Sequence, residues 1–264
     1  MRGRKAEFER KLAQTGLWQL LDLLQTLPDE TARLARLCYA ASPASDWLDT
    51  PPEVFFSCAA HARYLRENVS WTRALPEPLF LAYVLHPRVN NEALCDCRPV
   101  FYAALAERLR GLPEEAAILE INRWCAEHVA YQPTDERTRS ALAVLRAGFG
   151  RCGEESMFAV NVLRACGFAA RQVYVPRWAH CDDNHAWVEV WCAGDWHYLG
   201  ACEPEAVLDK GWFTNAASRA MMIGSRWYDR AMPDEDVIGK DGMNRIINLL
   251  GKYAKTKRIT IRGE

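Results

Sequence analysis

Cys152 and His185 are the two residues whose chemistry and setting suit a nucleophile and its base. Cys152 follows Gly150-Arg151 and opens a helical pattern running to about Cys166, so its thiol stands at a helix start. The unpaired amides there carry partial positive charge, which favours the reactive thiolate. His185 heads a strand-like run directly after the polar loop His180-Cys181-Asp182-Asp183-Asn184. An imidazole within reach of a thiol stabilises the thiolate and later returns a proton to a leaving group. The backbone amide of Cys152 itself is a natural donor to an oxyanion. These features predict that Cys152 is the most readily alkylated of the ten cysteines near neutral pH.

The elements that must bring the pair together announce themselves as changes of hydrophobic period. After Gly167 the period becomes two, and residues 170–175, 185–192 and 196–201 read as strands. Ala193-Gly194-Asp195 is a tight hairpin connection between the last two, and residues 221–228 suggest a fourth strand. Upstream, residues 100–110 read as a helix, and Pro113-Glu114-Glu115 opens another, with its acids at the positive end of the dipole. Ser140 caps a short helix that Gly148 ends. In the first third, residues 4–24, 30–40 and 53–68 have helical spacing, interrupted at Ser42-Pro43 and Thr50-Pro51-Pro52. Residues 71–98 read as a long connecting segment.

Three stretches in order make the text recognisable: Gly150-Arg151-Cys152-Gly153-Glu154-Glu155-Ser156, then Asn184-His185-Ala186-Trp187-Val188-Glu189-Val190, then Asp195-Trp196. Together with the strand 170–173 between the first two, they resemble the transglutaminase-like superfamily, including its peptide:N-glycanase branch, over roughly residues 99–213. Three motifs in the family's order are far more specific than one. The resemblance implies an α+β fold of papain-like, transglutaminase-like architecture, with the cysteine helix packed on an antiparallel sheet. It implies Cys152 as nucleophile and His185 as base, and an oxyanion role for the Trp124 indole. The corresponding organisation is a helical N-terminal extension over 1–98, a catalytic core over 99–230 and a C-terminal tail over 231–264. The glycanases' zinc-binding cysteine pairs are absent from the sequence, which argues against that activity.

One position departs from the family's pattern. Where the family places an orienting Asp on the strand after the His, this chain has Gly200, followed by Ala201-Cys202-Glu203. A histidine base needs a partner on its second ring nitrogen. Glu203 is therefore expected to reach back and hydrogen-bond His185, the alternatives being Glu205 or a pair that works without a third member. Trp178, in the loop before His185, is expected to touch substrate. Asp182 and Asp183 are expected at the mouth of the cleft, where they would attract an amine or basic substrate, and Arg177 is a candidate for a substrate carboxylate.

Composition narrows the partners. With 33 Lys and Arg against 34 Asp and Glu, no global field steers the chain toward nucleic acid or an acidic membrane. The longest apolar stretches, such as 79–85, fall well short of a membrane span, and the first ten residues lack the apolar segment of a signal peptide. A cytoplasmic protein with mostly reduced, packed cysteines is expected. Residues 180–185 could be read as zinc ligands, but no paired spacing supports this, so no metal and no cofactor are expected. The sequence thus points to a cysteine-dependent acyl-transfer enzyme working on a protein, peptide or small-molecule amide through a thioester. Water as acceptor gives hydrolysis, narrowly favoured, and an amine gives transfer. The rival is a non-catalytic module that binds a peptide in the same cleft. A third reading takes the chain as a piece of a longer protein, since the strand-like residues 252–262 would need pairing partners.

Overall fold

The computed structural model describes residues 2–134, 137–228, 237–241 and 244–257. Seven helices come first: α1 (Arg2–Thr15), α2 (Gln19–Gln25), α3 (Asp29–Ala41), α4 (Ala44–Asp49), α5 (Pro52–Asn68), α6 (Ser70–Ala74) and α7 (Glu77–Phe80). A π-helical turn, Leu81–Leu85, extends the last of these, and α8 (Arg98–Leu109) and α9 (Glu114–His128) follow. Then come β1 (Ala130–Tyr131), α10 (Ala141–Ala147), β2 (Phe149–Gly150), α11 (Cys152–Ala165), β3 (Ala170–Val175), β4 (His185–Cys192) and β5 (Asp195–Leu199). The chain closes with α12 (Thr214–Ala217), β6 (Gly224–Trp227), β7 (Val237–Asp241), β8 (Asn244–Asn248) and α13 (Leu250–Tyr253).

The sheet is antiparallel throughout, in the order β5-β4-β3-β6-β8-β7, while β1 and β2 form a small separate parallel pair. The α+β expectation therefore holds, with helix α11 against β3 and β4. Every residue of α11 from Gly153 to Ala165 is buried, as expected of a helix enclosed on all sides. Its other neighbours are α8, α9 and α10. Apolar side chains of α8, α9 and α11 share one core with Val188, Val190 and Leu199 of the sheet. A second core joins α1, α3 and α5 to Ala169, Trp227 and Ile247. A third, aromatic one gathers Trp178, Trp187 and Phe213 behind the head of β4.

Several local features follow from single residues. Ser140 accepts the amide of Ala143 as the cap of α10, and Gly148 ends that helix at φ 73°. Ala193 and Gly194 both take positive φ, which gives the two-residue turn of the β4–β5 hairpin. Two expectations need correction. Residues 4–24 are not one helix, because Gly16 at φ 70° ends α1 and redirects the chain. Residues 71–98 are not merely a connection, since they hold α6, α7 and the π-helical turn, whose Tyr83, Val84 and Leu85 are buried. Of the strand-like tail, 252–257 carries the end of α13, and 258–262 lies outside the described residues.

Candidate active site

Cys152 is the first residue of α11, and the strand β2 immediately before it is tied to β1 in register Tyr131–Gly150. Gly150 is required there, because a Cβ would meet the Cβ of Glu154 at 2.9 Å. Arg151 caps the helix through its backbone, its carbonyl accepting the amides of Glu154 and Glu155 at 2.8 and 2.9 Å. The first turn is fixed to the sheet by Gln172, whose Nε2 donates to the Gly153 carbonyl at 2.9 Å and to Ser156 Oγ at 2.8 Å. It is fixed to the preceding loop by Glu154, which accepts from Arg139 Nε at 2.9 Å and Thr134 Oγ1 at 3.0 Å. Burial alone would raise the Glu154 pKa, and these bonds outweigh it, so the carboxylate is held ionised below its ordinary range.

His185 is the first residue of β4, paired with Val175 at the end of β3. Cys152 and His185 line the same cleft, about 180 Å³, together with Asn90, Arg151, Gln172, Tyr174, Asn184 and Arg226. The backbone of Ala186 and of Gly153 favours the ionised form of the thiol. Nε2 of His185 is buried and has no hydrogen-bond partner among the described residues. Aromatic rings surround the imidazole: Trp212 at 4.6 Å between centroids, Phe213 at 5.2 Å, Trp187 at 6.0 Å and Trp178 at 6.2 Å. This desolvation pushes the His185 pKa down to about 4, against a small opposing pull from Asp183. Burial also raises the Cys152 thiol above its ordinary value, more than the two backbone groups lower it. Near pH 7 the pair is therefore a neutral thiol beside a neutral imidazole.

The other expected site residues fall elsewhere. Glu203 does not bond His185: its Oε1 accepts the indole N–H of Trp212 at 3.0 Å, and its Oε2 is buried without a partner among the described residues. The reason is steric, since Oε2 fills the space that a Cβ on Gly200 would need. Glu205 accepts from Lys210 at 2.8 Å and so does not substitute. Trp124 packs among Phe101, Phe158 and His128 in the first core and is not among the residues lining the cleft. Trp178 is likewise buried, behind His185, and backs the imidazole where substrate contact was expected. Asp183 is exposed and bonds the amide of Asn184, while Arg177 pairs with Asp182 at 3.2 Å on the loop. Neither acid of that loop lines the cleft.

The order of elements, with the cysteine heading a buried helix and the histidine heading the next but one strand, is that of a known group. Residues 103–201 match the model of the transglutaminase-like superfamily. No curated protein matches the chain. Among solved structures, the chain is similar to a Cytophaga hutchinsonii protein described as a "putative cysteine protease", at 15% identity and a TM-score of 0.41, covering 70% of this chain and 68% of that one.

Two features around the site were not foreseen from the sequence. Gln172 and Arg226 line the cleft from β3 and β6, and the sequence signal was slight, since each has a polar neighbour, Arg171 and Ser225, on its own strand. The second feature is Cys95, whose thiol is the more acidic of the two where Cys152 was expected to be. The neighbouring Cys97 thiol, the Ser140 hydroxyl and the backbone at the start of α10 favour its ionised form and push its pKa down to about 6 despite partial burial. Among the described residues no group of three or more His, Cys, Asp and Glu is placed to hold a metal ion. No described helix is long and apolar enough to cross a membrane.

Proposed function

We propose that this protein is a cytoplasmic cysteine-dependent acyl-transfer enzyme that opens an amide through a thioester on Cys152. The observation that carries the reading is that the thiol heading α11 and the imidazole heading β4 line one cleft. With both groups neutral at pH 7, His185 acts as a true general base: it takes the thiol proton as sulfur attacks the carbonyl carbon. The oxyanion is met by the Cys152 amide, which has no intrahelical acceptor at the first position of α11. Collapse breaks the C–N bond, and the imidazolium gives its proton to the departing amine. A water or a second amine then attacks the thioester, His185 takes the proton from that nucleophile, and the thiol leaves with it restored. Hydrolysis is the reading preferred here, and the substrate is a protein, peptide or small-molecule amide.

Incubation with a glutamine-containing peptide, with and without a primary amine, tests this. Mass spectrometry should find an acyl adduct on Cys152, with ammonia released, and Cys152→Ala should abolish both. Ammonia release at wild-type level from Cys152→Ala would overturn the reading. A second reading, a peptide-binding module, draws on Glu203 being turned away from His185. It predicts peptide affinity unchanged in His185→Ala and no turnover of any amide.

A further inference from the structure

The charges around the cleft are one-sided. Arg151 and Arg226 line it, and among the described residues no Asp or Glu does. Arg151 is engaged, donating to Thr138 at 3.0 Å. Arg226 is different: its Nε is buried with no hydrogen-bond partner among the described residues. A buried donor left unsatisfied is costly, and a guanidinium more so. Its placement is dictated by strand alternation. Tyr174 pairs with Gly224, so Gln172, Tyr174, Gly224 and Arg226 share one face of the sheet, the face that meets the start of α11. Ser225, on the opposite face, ties β6 to β3 by donating to the Gln172 carbonyl at 2.7 Å.

Behind Gln172 and Arg226 lies a second cavity, which both residues also line. There Arg88 and Arg171 are paired with Asp46 and Glu189. Arg164 bonds only backbone carbonyls, those of Ala170, His86 and Arg88, and Arg98 bonds the His86 carbonyl while its Nη1 has no partner among the described residues. The buried Glu92 also faces Arg88 and Arg164, so three acids stand against four guanidiniums behind the cleft, and low-dielectric walls focus the remaining positive field.

We propose that the cleft selects acyl donors bearing a carboxylate, and that Arg226 receives that carboxylate while the amide carbon faces Cys152. A guanidinium binds a carboxylate through two parallel hydrogen bonds, which would satisfy the orphaned Nε and fix the donor's orientation at once. The identity of the bound group as an acyl donor rests on the function proposed above, whereas the anion preference does not.

Calorimetry on Cys152→Ala separates the two. Succinamate should bind about tenfold more tightly than the neutral succinamide, and Arg226→Gln should remove that preference while leaving succinamide unchanged; Arg226→Lys should keep part of it. A tripeptide with a free C-terminus, set against its amidated form, tells whether a peptide end or a small acid is the better source of the carboxylate. In wild-type protein, iodoacetate relative to iodoacetamide should be favoured at Cys152 compared with the exposed Cys181. Equal binding of succinamate and succinamide overturns the proposal, as does a preference that survives Arg226→Gln. Should Arg226→Gln not fold, acetate protecting Cys152→Ala against succinamate binding no better than acetamide overturns it equally. Cys152 inert to both alkylating reagents, with the binding preference intact, would sink the nucleophile and leave the anion site standing.

Discussion

The indole N–H of Trp212 donates to Glu203 at 3.0 Å while its ring stands 4.6 Å from the imidazole of His185. The acid that was expected to orient the base thus acts one residue removed, by holding the ring that covers it. Trp212 is 63% exposed, so it is a cover open to solvent on its outer side. Removing it should rehydrate His185. In Trp212→Ala the His185 pKa, held at about 4, should rise toward the ordinary value near 6.5, and the acid limb of activity should move up by about one pH unit or more. An NMR titration of the imidazole protons reads this directly; an unmoved pKa would show that Trp178, Trp187 and Phe213 suffice.

Thiol labelling should follow the electrostatics of Cys95 and Cys152. At pH 7 Cys95, with its pKa near 6, is mostly thiolate, whereas Cys152 is mostly thiol. Brief treatment with iodoacetamide should therefore modify Cys95 ahead of Cys152. The rate at Cys152 should climb through an inflection above the ordinary thiol value of about 8.5, with none near pH 4. Peptide mapping across pH checks both; an inflection near 4 would mean a preformed thiolate–imidazolium pair.

Glu155 lies one turn below Cys152 and is buried, and burial together with the nearby Glu203 pushes its pKa up to about 8. A carboxyl whose folded pKa exceeds its unfolded one leaves stability intact below about pH 4 and erodes it as pH rises toward 8. Glu155→Gln should accordingly stabilise the protein by about 1 kcal/mol or more at pH 8.5 and leave it nearly unchanged at pH 4. Denaturant melts at the two pH values decide the matter.

Gln172 holds the first turn of α11 to β3 by two bonds from one amide nitrogen. Gln172→Leu keeps the bulk and loses both, leaving the polar atoms of Gly153 and Ser156 with fewer partners in a dry site. A loss of about 1–3 kcal/mol is expected. A larger fractional fall in kcat than in substrate affinity should accompany it, because the nucleophile is no longer held in place. Unchanged turnover would assign Gln172 to stability alone.

How much of this was legible before any coordinates depended on whether local signals acted alone. β3 and β4 were read with their observed ends, because Gly167 and the polar loop 180–184 bracket apolar runs. The α10 boundaries followed from Ser140 and Gly148. β7 and β8 were not read: they are five residues each, and their pairing is a long-range matter the text does not carry. Within the site, Cys152 and His185 stood out by type and setting. Glu203 was chosen by spacing, and spacing cannot see that its carboxylate already fills the room above Gly200. Trp124 was implied by the resemblance and Trp178 by its place in the loop before His185, yet the bulk of both is buried. Arg226 was one arginine in a strand, and only register puts it opposite Gln172 and Tyr174.

At the end of α11 away from Cys152, Trp71 Nε1 donates to the Cys166 carbonyl at 2.9 Å, Thr72 Oγ1 to that of Gly167 at 2.8 Å, and His61 Nε2 meets that of Ala165 at 2.8 Å. Gly167 sits at φ 90°, and a Cβ on it would collide with Thr72. All three gripping residues precede position 103, outside the segment that matches the superfamily. The helix is thus a strut about 21 Å long, clamped at its far end by helices that take no part in the chemistry. Its axial travel at the thiol is set by that clamp. A displacement of about 1 Å along the strut is enough to change a rate by a hundredfold. The early helices therefore act on the reaction as a mechanical stop that fixes the depth at which sulfur stands.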